Sequence, residues 1–76
     1  MYKAGDIVRF LYNSEQTAMV IGFAGNNGVY DDDDRFVMAL RDDGDIISFL
    51  FNSKDWEIVD HVDMAEIMKR IKEAKG

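Results

Sequence analysis

Clustered carboxylates are the side chains of this sequence with the clearest chemical potential. Asp31–Asp34 follow Tyr30 directly, and three more acids flank a glycine further along: Asp42, Asp43 and Asp45. Carboxylates at this density can bind a divalent cation or attract a basic partner. The calcium-loop spacing is missing, because no glycine stands sixth and no glutamate twelfth from the first four acids. We therefore predict no metal site. The clustered carboxylates are either a contact surface for a partner or a solvated loop without a binding role.

Other reactive patterns are missing from the sequence. Cysteine is absent and His61 is the only histidine, so neither a thiolate site nor a histidine cluster can form within one chain. We interpret His61 as a surface or helix-capping residue. The serines lack a G-x-S-x-G context, and no phosphate-binding glycine motif is present. The sequence therefore predicts a protein without enzymatic activity, catalytic residues or cofactor.

Composition indicates one small globular domain. The 76 residues carry 9 Lys and Arg against 15 Asp and Glu, a formal net charge of −6, with 47% hydrophobic residues. No apolar run approaches the roughly 20 residues of a membrane span, and the N-terminus lacks a signal-peptide pattern. We expect a cytoplasmic protein that does not enter a membrane. The acidic excess argues against direct binding to a nucleic-acid backbone.

Short alternating runs predict the strands. They cover 7–12, 17–24 and a short last strand at 56–59, with Trp56 and Ile58 on one face. In the second run, the larger side chains share one face: Met19, Ile21 and Phe23. The small residues of the opposite face predict close approach of another backbone or a bend at Gly22.

A hairpin is predicted over 35–51. Asp43-Gly44 favours a two-residue turn with positive φ at both central positions. This turn sets Asp42 opposite Asp45 and places six large side chains on one interior face: Phe36, Met38, Leu40, Ile47, Phe49 and Phe51. A register shift of one residue would exchange the faces of one strand.

The last part of the chain predicts a helix over about 61–75. Either Asp60 caps it, or Asp63 does so together with Glu66. An apolar stripe follows at helical spacing: Met64, Ile67, Met68 and Ile71. The stripe can pack on the strands of its own chain or be presented to another chain, and the sequence leaves both possibilities open.

Three segments carry a resemblance to SH3-like barrels of the KOW and Tudor type: Ala4 to Phe10, Ala18 to Gly22 and Asn52 to Val59. The first resembles their G-D-x-V opening strand, the second their second strand, and the third the turn and strand that close the barrel. The resemblance implies a five-stranded barrel over about 4–59, followed by the helix within a single domain 1–76. KOW domains usually present basic residues, whereas this chain carries Asp31–Asp34. Tudor domains use an aromatic cage, for which the candidates here are Tyr12, Phe23, Tyr30 and Trp56.

These features together predict a protein-binding module whose acidic surface contacts a basic partner protein. One form of it is a small inhibitor or decoy of a nucleic-acid-binding protein, since the chain looks like the small accessory proteins that phages encode. The predicted contact residues are Tyr30, Asp31, Asp32, Asp33, Asp34, Asp42, Asp43 and Asp45. The alternative is an SH3-like or Tudor-like reader that binds a peptide or a modified side chain through exposed aromatics.

Overall fold

Five antiparallel strands and one C-terminal helix form the fold. The computed structural model describes residues 2–24 and 35–75. The elements are β1 (Asp6–Phe10), β2 (Asn13–Ala24), β3 (Phe36–Arg41), β4 (Ile46–Leu50), β5 (Trp56–His61) and α1 (Met64–Lys75). The strands form one sheet in the order β4-β3-β2-β1-β5. The predicted fold class, mainly β with five strands and a C-terminal helix, is confirmed. The arrangement is consistent with a small β-barrel-like fold, in which β4 and β5 are the two edges of the described sheet.

A glycine turn opens the first strand. The N–H of Asp6 donates to the carbonyl of Lys3 at 3.1 Å, and Gly5 between them has a φ of 97°. A turn with positive φ at its third residue favours glycine. Gly5 also donates its N–H to Val20 and accepts one from Val62, both at 2.8 Å. The Gly5-Asp6 pair therefore joins the start of β1 to β2 and to the segment after β5.

The bend predicted at Gly22 is present as a register shift in β2. Val20 pairs with Ala39 but Gly22 pairs with Met38, so β2 carries one extra residue at this point. No atom lies within 4 Å of a Cβ added at Gly22, so the close backbone approach is not observed there. Beyond the bulge the alternation changes sides. Phe23 consequently packs its ring on Phe51, and the predicted face shared with Met19 and Ile21 was wrong for Phe23.

The predicted register of the β3–β4 hairpin was wrong by one residue. Leu40 lies opposite Ile46 and Phe36 opposite Leu50. The loop has three residues, 42–44, because Arg41 donates its N–H to the carbonyl of Asp45 at 2.8 Å. The carbonyl of Arg41 also accepts the N–H of Gly44 at 3.0 Å, and Gly44 has a φ of 93°. Three-residue hairpin loops commonly end on such a positive-φ residue.

This register divides the hairpin between two faces. The interior cluster contains Val8, Ala18, Val20, Val37, Ala39, Phe49 and Phe51. Phe49 and Phe51 are thus interior as predicted, whereas Phe36 is 42% exposed and Met38 only half-buried. Leu40 joins Met19 and Ile67 in a second cluster, which α1 covers. The sheet therefore has apolar residues on both faces, and α1 covers part of the second face.

The helix begins at Met64 because Asp63 caps it. The Oδ1 atom of Asp63 accepts the N–H of Glu66 at 2.9 Å, so the second of the two predicted caps is confirmed, while Asp60 lies within β5. Ile67 is buried and Ile71 packs beside it. Burying such side chains contributes about 1.5–3 kcal/mol each, which a helix of this length needs in order to be stable. Met64 and Met68 of the same stripe are exposed.

Candidate partner-binding site at the β3–β4 turn

The β3–β4 turn holds the three predicted acidic residues that the structure describes. Asp42 and Asp43 lie in the loop, Asp45 follows it, and all three are exposed. The Oδ1 atom of Asp43 accepts the N–H of Asp45 at 3.0 Å, an aspartate contact typical of turns. The hydroxyl of Thr17 lies 3.5 Å from Asp42. The predicted pairing of Asp42 with Asp45 across the strands does not occur, since the shifted register places Arg41 opposite Asp45.

Positive charge does not cancel these carboxylates. The nearest cationic group is Arg41, whose Nη2 atom lies 3.8 Å from Asp43. No described cation lies within ion-pair distance of Asp42 or Asp45. Two other arginines form ion pairs with glutamates: Arg9 with Glu57, and Arg70, which lines the cleft beside the turn, with Glu66 at 2.9 Å. The turn therefore presents a net negative surface.

A cleft separates the turn from the end of α1. It has a volume of about 310 Å³, and its charged lining consists of Asp42, Asp43 and Glu73 together with Arg41 and Arg70. A smaller cleft of about 150 Å³ lies against Glu15, Gln16 and Thr17 and shares Arg41, Asp42 and Asp43 with the first. Both carboxylates are thus accessible from two directions. Among residues 2–24 and 35–75, no three acids or histidines come together as metal ligands would.

The remaining predicted contact residues, Tyr30 and Asp31–Asp34, lie outside the described residues. The strand ends that flank this segment are Ala24 and Phe36, which pair with each other. They lie at the opposite end of β3 from Asp42. Phe36 and Arg41, the two ends of β3, are five residues apart, which along a strand corresponds to about 17 Å.

Of the aromatics predicted for a reader, the three that the structure describes do not converge on one site. Tyr12 is 80% exposed, and its ring contacts Phe10 at 5.6 Å between centroids. Trp56 stacks on Phe49 and lies tilted against Phe10, with centroids 5.1 Å from each, and is half-buried. Phe23 instead packs on Phe51 near the start of β3.

The guanidinium of Arg35 packs on the aromatic pair of Phe23 and Phe51. It lies over the ring of Phe51 at 4.2 Å and over that of Phe23 at 4.7 Å. Phe23 and Tyr12 thus belong to different aromatic groups, and Tyr30 is not described. Of the three candidates that the structure describes, only Tyr12 and Trp56 share a neighbour, the ring of Phe10.

His61 makes a contact that sequence reasoning missed. Its Nδ1 atom lies 2.8 Å from Oδ1 of Asp6, which is only 2% exposed and whose Oδ2 accepts the N–H of Lys3 at 2.9 Å. The predicted surface or capping role of His61 was therefore incomplete. The pair links the start of β1 to the end of β5, and no described hydroxyl bonds to the imidazole as a nucleophile would. The one sequence signal for a fixed position of Asp6 is the glycine that precedes it at the start of the first strand.

Comparisons with protein-family models, with curated proteins and with solved structures find no match to this chain. The KOW or Tudor resemblance therefore gains no support beyond the shared five-stranded architecture. No described helix has the length and apolar character needed to cross a membrane.

Proposed function

We propose that this protein is a non-enzymatic protein-binding module whose acidic surface contacts a basic partner protein. The observation that carries the proposal is the β3–β4 turn, where three exposed aspartates have a single described cation, Arg41, within ion-pair distance. Asp31–Asp34 contribute four of the 15 acidic residues of the chain. An inhibitor or decoy of a nucleic-acid-binding protein is one form of such a module, since spaced carboxylates can occupy a basic groove that normally holds phosphates.

Charge neutralisation tests the proposal. A variant with Asp42→Asn, Asp43→Asn and Asp45→Asn keeps the turn, because an asparagine at 43 can still accept the N–H of residue 45. Exposed charge pairs contribute about 0.2–1 kcal/mol each. Three of them correspond to about tenfold weaker binding. The probe is an oligolysine peptide, measured by calorimetry at low salt and again near 1 M salt, where the screening length falls to about 3 Å.

The control variant removes a single carboxylate charge at another place on the sheet. Asp60 is exposed and accepts the N–H of His61, a bond that Asp60→Asn also preserves. Asp60→Asn should bind the peptide within about twofold of the original chain. A further variant converts Asp31–Asp34 to asparagine and compares the two acidic segments. Affinity that stays constant across the salt series, or across all variants, contradicts the proposal.

The second candidate function is recognition of a peptide or modified side chain by aromatics. The exposed ring of Tyr12, beside Phe10 and Trp56, favours it, because aromatic faces attract methylated ammonium groups. A trimethyllysine peptide should then shift the NMR signals of Tyr12 and Trp56, and Tyr12→Ala should abolish binding. Unmodified lysine binding equally well argues for the acidic module instead.

A further inference from the structure

Strand β4 is one edge of the described sheet, and its residues carry no charge. The sequence Ile46–Leu50 contains no charged residue, no proline and no glycine, and its pairing with β3 has no bulge. Natural sheets often protect an edge with charged side chains, proline or a bulge, because unpaired N–H and C=O groups attract another strand. The edge at β4 lacks each of these forms of protection.

The other edge, β5, is protected in several ways. It carries Glu57 and Asp60, and its pairing with β1 shifts register between Ile7 and Val8. The hydroxyl of Tyr2 also donates to the carbonyl of Trp56 at 3.0 Å. The lack of edge protection is therefore specific to β4 and is not a general property of this small sheet.

The register identifies which backbone groups of β4 point away from the sheet. Arg41 bonds Asp45 and Arg35 bonds Phe51 across the hairpin. In an antiparallel pair the bonded positions alternate, so the odd-numbered residues of β4 bond to β3. The N–H and C=O groups of Ile46, Ser48 and Leu50 point outward. Within the described residues, only the carbonyl of Leu50 has a partner there, the N–H of Ser53 at 2.9 Å.

Exposed apolar side chains accompany these outward backbone groups. Ile46 is 57% exposed and Leu50 is 44% exposed, and both lie on the same face as Phe36. An added strand would therefore gain backbone bonds at the edge and apolar contacts on one face.

The negative charges near this edge favour a basic partner strand over a second copy of the chain. The exposed acids Asp42, Asp43 and Asp45 lie immediately before β4, so a strand laid along β4 would end beside them. A second copy of this chain brings another net charge of −6, whereas lysine or arginine at the end of the added strand would be attracted.

We propose that the β4 edge binds an extended segment of the basic partner, with lysine or arginine at its end and uncharged β-forming residues along its length. This inference rests on the proposed function and names the form in which the partner binds. The backbone of the partner bonds to Ile46, Ser48 and Leu50, and its cationic end contacts the acidic turn.

Amide hydrogen exchange by NMR tests the proposal on the full chain. The probe is a peptide of alternating valine and threonine with lysines at both ends, which allows either strand direction. Saturating peptide should slow exchange of the Ile46 and Ser48 amides by about tenfold or more, because they become bonded. A control peptide with proline at its centre keeps the charge but loses strand geometry, and should bind about tenfold more weakly.

A variant provides a second measurement. The N–H of Ser48 points outward, so Ser48→Pro leaves the bonds to β3 in place while closing the edge. This variant should keep its thermal unfolding transition and lose about tenfold in affinity for the lysine-ended peptide. If it fails to fold, the exchange measurement on the original chain still decides.

The outcomes separate the edge proposal from the proposed function. Lysine-peptide binding that perturbs Asp43 and Asp45 without protecting Ser48 overturns the edge proposal and leaves the acidic module intact. Absence of any salt-dependent binding overturns both. Protection of Ser48 in the chain alone, with a dimer mass in sedimentation, shows that the edge pairs with a second copy and also overturns the proposal.

Discussion

Substitution of three glycines by alanine separates backbone strain from steric overlap. Gly5 and Gly44 both have positive φ, at 97° and 93°, whereas Gly22 does not. A Cβ at Gly5 would overlap the carbonyl oxygen of Val62. A Cβ at Gly44 would come no closer than 3.9 Å to Ala74, and one at Gly22 would contact nothing within 4 Å. The three positions thus differ in one property at a time.

The expected changes in unfolding free energy follow from these differences. Gly22→Ala should be neutral or stabilise by about 0.5 kcal/mol, since alanine loses less chain entropy in a strand. Gly44→Ala should cost about 1–2 kcal/mol from positive φ alone. Gly5→Ala should cost about 3 kcal/mol or more, because the overlap with a backbone atom adds to the same strain. Relief requires Val62 to move, which lengthens its bond to Gly5 and displaces the start of α1.

Urea unfolding followed by tryptophan fluorescence measures the series, with Trp56 as the single probe. In a domain of this size, about 1 kcal/mol moves the thermal midpoint by roughly 4–8 °C, so thermal melts give an independent check. Equal losses for Gly5→Ala and Gly44→Ala would show that Val62 does not restrict Gly5. A large loss for Gly22→Ala would contradict the open space found around this residue.

Two further predictions concern single polar contacts. Burial, and secondarily the negative charge of Asp55, raises the pKa of Tyr2 above its ordinary 10.0, and the protonated hydroxyl donates to the carbonyls of Ser53 and Trp56. The stability from this group is fully present below pH 10.0 and is lost as the pH rises through the raised value. The urea midpoint of the original chain should therefore fall more steeply in that range than that of Tyr2→Phe, and parallel curves would contradict the assignment. Asp63→Ala should cost about 1 kcal/mol by removing the cap of α1, Asp63→Asn should cost much less, and equal losses in urea titrations would show that the cap is not the cause.

The strand pattern predicted the fold class because small antiparallel strands alternate clearly, and the helix because its stripe and cap are local features. The register of the β3–β4 hairpin could not be predicted in the same way. Asp43-Gly44 fits a two-residue loop and also a three-residue loop that ends on Gly44, since both need positive φ at the glycine. The alternation of apolar and polar residues normally decides between two registers, because the incorrect register would turn polar side chains toward the core.

Alternation failed here because α1 covers the second face of the sheet. Leu40 packs against the helix, while Val37 and Ala39 pack inside, so β3 is apolar on both sides. A sequence that is apolar at successive positions satisfies either register. The contact between Asp6 and His61 was inaccessible for a related reason, because 55 residues separate them and only the pairing of β1 with β5 brings them together.

The position of the aromatic residues bears on the choice between the two proposed functions. Trp56 contacts Phe10 and Phe49, and Tyr2 packs edge-on against Phe49 and Phe51. These rings already stabilise a small core, and a ligand that displaced them would lose the contacts that keep the sheet folded. Tyr12 is the one candidate ring among the described residues that is mostly exposed. Carboxylates and the β4 edge, by contrast, are available to a partner without any cost to the core, and this asymmetry favours the acidic module over the aromatic reader.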